Sequence, residues 1–167
     1  MDTEALIDLL QESLYLVIVL VAFFSYASWR GGQALTNLIL GLYLSLLISS
    51  NFPYYHLLPG ADGVSGGEAA SMIIVFIIFT ILATCLFSEL MPEGDDDGFF
   101  SGFGKNIGLS LLATILVMAY SFHVLPVTAL IDTGTPIQTM FATPDFFFFW
   151  LLLPLPVLWI YYRLINR

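Results

Sequence analysis

The charged residues of this chain are so widely separated that the gaps between them dictate what it can fold into. Seventeen uncharged residues separate Glu12 from Arg30, 20 separate Glu68 from Glu89, 26 separate Lys105 from Asp132, and 17 separate Asp145 from Arg163. A charge at the centre of a bilayer costs about 2.5–3.5 kcal/mol on insertion scales, so uninterrupted runs of this length read as membrane-spanning helices. The gap that follows Arg30 holds one more span before the turn-like NFPYYHLLPG. The expected fold class is therefore an all-α membrane protein, a polytopic helical bundle of about five transmembrane helices forming one integral membrane domain over residues 1–167. Its spans fall at about 13–29, 33–52, 69–88, 106–128 and 146–162. Crossing about 30 Å of hydrocarbon takes roughly 20 residues, so the two 17-residue windows fall short by a few Å.

Composition agrees with this reading. Apolar residues make up 59% of the chain and charged residues 10%, against about 45–50% and about 25% in a soluble domain. An ordinary water-soluble fold and a disordered chain are excluded. Four Lys/Arg against 13 Asp/Glu leave too few cations to neutralise a phosphate backbone, which excludes nucleic acid as a partner. Cys85 is the single cysteine, so no intrachain disulfide is possible.

The cations set the expected orientation. With five spans, Arg30 falls in the first connection, Lys105 in the third, and Arg163 and Arg167 after the last, all on one side. The positive-inside rule then places the N-terminus outside and the C-terminus in the cytoplasm. The outer segments hold eight acids and no cation, whereas the inner ones hold five acids with all four cations. The opening MDTEALIDLLQE has no basic residue, so the first span is expected to be a retained helix with an amphipathic lead-in over 3–12. Arg30, Gly31 and Gly32 leave room only for a tight hairpin, with one long helix as the competing possibility. The outer loop 53–68 reads as flexible and Gly-rich. The inner loop is polar and carries Phe99, Phe100 and Phe103, whose rings are expected to dip into the interface.

Candidate functional residues are few. Ionisable residues near the midplane mark transport pathways, and every acid here can be placed near an end of a span. Pro154 and Pro156 are the one candidate helix break, freeing carbonyls about one turn earlier. Gly104 and Gly108 form a GxxxG that permits close helix approach. His56 and His123 both fall near the outer interface, where two rings could contact a haem or quinol; no pattern of supporting partner residues favours a ligand role, and simple interfacial placement is the favoured reading. Asp95, Asp96 and Asp97 lack the alternating spacing of a calcium loop and read as a solvated run. No nucleophile–base set, metal cluster or phosphate loop is visible, so the chain is not expected to be an enzyme, and no metal or cofactor is implied.

The segment SWRGGQALTNLILGLYLSLLIS, with Arg30, Gly31 and the spaced Gly41, resembles the start of the colicin V production protein family. The stretches SMIIVFIIFTILATCLFSELM and GFGKNIGLSLLATILVMAY are similar to that family's third and fourth helices, with Gly108 near the start of the fourth. The resemblance covers about residues 14–120. A second basic residue usual after Arg-Gly is absent, with Gln33 and Asn37 in that region, and a fifth span follows. It implies a small bacterial inner-membrane protein linked to toxin production or export and to envelope integrity. The expected function is a non-enzymatic accessory or scaffold component of a larger membrane assembly, with membrane lipid and other membrane subunits or further copies of itself as partners. Two alternatives remain open: a small transporter or channel component using the Pro-broken fifth helix, and a haem- or quinone-associated subunit.

Overall fold

The computed structural model describes residues 3–54, 65–91, 99–123 and 144–165. All regular structure among them is α-helical: α1 (Thr3–Arg30), α2 (Gly32–Ser50), α3 (Ser65–Leu90), α4 (Phe99–His123), α5 (Pro144–Leu152) and α6 (Pro154–Ile165). Within α1 to α4, the windows Ser13–Arg30, Gly32–Ser50, Ala70–Leu90 and Phe103–Ser121 are long and apolar enough to cross a membrane. At 1.5 Å per residue they measure about 27–32 Å, which is compatible with a membrane protein. A shorter apolar stretch, Phe147–Ile160, is interrupted at Leu153.

The breaks follow from local chemistry. Helix α1 closes at Arg30, the Gly31 N–H still donates to the Ala27 carbonyl at 2.8 Å, and Gly31 then turns to φ 89°, ψ 164°. That backbone region is essentially reserved for glycine. The chain therefore reverses into α2, which packs back on α1, and the hairpin replaces the single long helix. In the last segment Pro154 has no N–H to offer Trp150, and Pro156 has none for Leu152, so the helix stops at Leu152. Both prolines then sit in the first turn of α6, where unpaired N–H groups are the rule.

Several boundaries differ from those expected. The helical lead-in expected over 3–12 is present and continuous with α1, whereas the starts of α3 and α4 move. Helix α3 starts at Ser65, so Gly66, Gly67 and Glu68 are helical rather than part of the outer loop. Glycine lowers helix propensity by about 1 kcal/mol without forbidding the first turn of a long apolar helix. Helix α4 starts at Phe99, which moves Phe99, Phe100 and Phe103 out of the inner loop and into the helix. Packing supplies the reason at Phe103, whose ring meets Phe24 of α1 edge-on at 5.4 Å. Residues 124–128, at the end of the fourth expected span, lie outside the described residues.

Helix α2 is the hub. It packs along α3 and against α4 and α1, while α1 packs chiefly on α4. Half of the spanning window of α2 and of α4 is buried inside the protein, and far less of α1 and α3. The core joins Leu35, Ile39 and Leu42 of α2 to Phe76 of α3 and to Leu109, Leu112, Leu116 and Tyr120 of α4. Phe147 and Trp150 of α5 pack against Met118 and Ala119 near the end of α4, whereas Leu158 of α6 joins the main core. The last segment thus begins beside the C-terminal part of α4 and runs back towards the end where Arg30 lies.

Candidate functional site

The interior is held together by uncharged polar groups. On α2 the residues Asn37, Gly41, Ser45 and Ser49 recur every four positions and are all buried. Residues at that spacing share one helix face, and here the first three meet α3. Asn37 donates from Nδ2 to the Met91 carbonyl at 3.1 Å, just past the end of α3. A carbonyl there has no intrahelical donor, so the carboxamide serves as a cap delivered by a neighbouring helix. At Gly41, a Cβ would come 2.5 Å from Thr84 Oγ1 and 3.0 Å from the Thr84 backbone N. Ser45 donates to the Leu42 carbonyl and accepts from Thr80 Oγ1 at 2.9 Å; the Phe76 carbonyl, at 2.8 Å, is the alternative acceptor for that hydroxyl.

Helix α4 carries a second polar row on its buried side. Ser110 donates to the Asn106 carbonyl at 2.6 Å and Thr114 to the Ser110 carbonyl at 2.7 Å, so both hydroxyls are satisfied within their own helix. Asn106 itself reaches across to α1, its Nδ2 donating to the Ala27 carbonyl at 3.4 Å. That carbonyl also accepts from Gly31, so the hairpin is pinned to the foot of α4. Asn37 Oδ1, Thr84 Oγ1 and the Tyr120 hydroxyl are buried without a hydrogen-bond partner among the described residues.

The expected site residues are distributed as follows. Gly31 and Gly32 form the hinge, Gly32 being buried, and Arg30 is exposed beside them. Gly104 and Gly108 are exposed on α4, with nothing within 4 Å of the position a Cβ would take. The close helix approach inside the bundle falls at Gly41. Pro154 is fully buried next to the break, and the Tyr43 hydroxyl donates to the carbonyl of Leu151 there. His123 is the last residue of α4, with its side chain outside the description, and His56 lies outside the described residues. Among the described residues, no three His, Cys, Asp or Glu side chains are grouped to hold a metal ion.

Sequence reasoning missed two features. The four-residue spacing of small and polar residues in α2 was a usable signal, because small residues at helical spacing let backbones approach in a membrane. The Tyr43 contact had no such signal, since it joins positions 108 residues apart. Comparison with protein-family models, with curated proteins and with solved structures yields no match to this chain.

Proposed function

We propose that this protein is a five-crossing bacterial inner-membrane protein, N-terminus outside and C-terminus cytoplasmic, that works as a non-enzymatic accessory or scaffold component of a larger membrane assembly. The observation that carries this reading is the outward face of α4. Gly104 and Gly108, four residues apart, face open space instead of another helix of the bundle, and a bare backbone of this kind accepts a neighbouring span at short range. The resemblance read in residues 14–120 to colicin V production proteins adds to this proposal a link to toxin export or envelope integrity. The interior adds support, because α2 and α3 are joined by direct contacts of Asn37, Gly41 and Ser45.

The test is Gly108→Leu, read by native mass measurement after extraction in a mild detergent. The wild type is expected as a complex and the variant as a smaller species with unchanged membrane insertion. A wild type that is strictly monomeric, and fully active when reconstituted alone, overturns the proposal.

A further inference from the structure

A groove of about 420 Å³ opens between α1 and α3 alongside α2, with Ala22, Phe23, Tyr26, Leu38, Ile81 and Cys85 among its walls. Its threonines turn their oxygens elsewhere. Thr80 Oγ1 lies in the hydrogen bonds with Ser45 and the Phe76 carbonyl, and Thr84 Oγ1 is buried against Gly41. What remains towards the groove is mostly methyl, methylene and aromatic surface, suited to hydrocarbon and poor in partners for a polar solute.

The groove is short. Residues 22–26 cover about 6 Å of α1 and residues 80–85 about 7.5 Å of α3. A partner helix, about 10–12 Å across and needing contact along its length, does not match an opening of one to two turns. Above it, one turn beyond Tyr26 on α1, stand Trp29, 87% exposed, and the exposed Arg30. Phe23, Tyr26 and Arg30 follow the i, i+3, i+7 spacing of one helix face. Tryptophan favours the headgroup level and a guanidinium meets phosphate oxygens in pairs. From the middle of the α1 wall to Arg30 is about 9 Å along the helix, which places the groove in the upper acyl region of the leaflet on the Arg30 side.

We infer that this groove is a phospholipid site: one acyl chain lies between α1 and α3, and the anionic headgroup of the same lipid is held at Arg30 beside Trp29. The inference rests on the membrane reading above and is independent of the scaffold role. Its test is reconstitution of the full chain into phosphatidylethanolamine vesicles containing phosphatidylglycerol with a photoreactive diazirine on its acyl chain. After irradiation, labelled peptides are expected from residues 22–26 and 80–85. Ala22→Trp, which fills the groove from an exposed wall position, removes that labelling, and Cys85→Phe does so from the opposite wall should the first variant fail to accumulate. Arg30→Gln lowers labelling by the phosphatidylglycerol probe to the level given by the same probe on phosphatidylcholine.

Equal labelling along all exposed positions of α1, unchanged by either filling variant, overturns the site. A Cys85–Cys85 disulfide formed between two copies under mild oxidation also overturns it, by putting a second copy in the groove. Release of the protein from membranes by alkaline carbonate is a different failure, that of the membrane reading itself.

Discussion

Two glycines decide how the first three helices meet, each for its own reason. Gly31 holds φ 89° and ψ 164°, a region that costs other residues on the order of 1–3 kcal/mol. Gly31→Ala is expected to lower stability by about that amount, seen as a reduced Tm by circular dichroism in detergent. Gly41 has ordinary helical backbone but no space: its missing Cβ would meet Thr84 Oγ1 at 2.5 Å and the Thr84 backbone at 3.0 and 3.2 Å. Gly41→Ala therefore forces α2 and α3 apart and costs about 1–3 kcal/mol, as overpacking does. Adding Thr84→Ala recovers only part of this, because the backbone contacts persist. Gly104→Ala and Gly108→Ala meet nothing within 4 Å, so in a solitary bundle they gain up to about 1 kcal/mol of helix propensity. A loss of stability at those two positions, measured in the native membrane, would identify a surface covered by a partner.

The junction of α5 and α6, set by its prolines, is also gripped by a distant part of the chain. The prolines end α5, and the Tyr43 hydroxyl of α2 donates to the Leu151 carbonyl in the last turn before the break. Tyr43→Phe keeps the ring and removes the donor. Interhelical hydrogen bonds in membranes average about 0.6 kcal/mol, so a modest loss is expected. Its signature is local: faster amide hydrogen exchange over 147–160, with α1 to α4 unchanged. Equal acceleration in all helices would mean that Tyr43 acts on the bundle as a whole. The break itself was legible in the sequence, since two prolines two residues apart cannot continue a helix. The first two helices and their hinge were legible for the same local reason. The starts of α3 and α4 were not. Gly66 and Gly67, like the run through Phe99 and Gly104, carry loop chemistry in isolation, and the Phe103 contact with Phe24 is a tertiary term that no local pattern contains. The polar seam of α2 stood in between, visible as spacing at Asn37, Gly41, Ser45 and Ser49 but without an indication of which helix it would face.

The course of the chain brings its three described cations to one end. Helix α1 ends at Arg30, α4 has Lys105 in its second turn, and α6 carries Arg163 near its close, stacked 5.3 Å over the Trp159 ring. Antiparallel running of α5–α6 along α4 puts Arg163 at the end of the bundle that holds Arg30 and Lys105. A last segment that failed to cross would leave Arg163 at the opposite end, with positive charge divided between the two faces. Together α5 and α6 extend over 144–165, about 32 Å at helical rise, of which the apolar stretch Phe147–Ile160 makes up about 20 Å. The expected topology is then five crossings with the cationic end in the cytoplasm. Cysteine labelling with an impermeant maleimide decides it on a Cys85→Ser background, since Cys85 is exposed. Ser65→Cys, at the start of α3, should label in intact cells, and Ile165→Cys only after permeabilisation. Labelling of both from outside would reduce the count to four crossings, and the exchanged pattern would reverse the orientation.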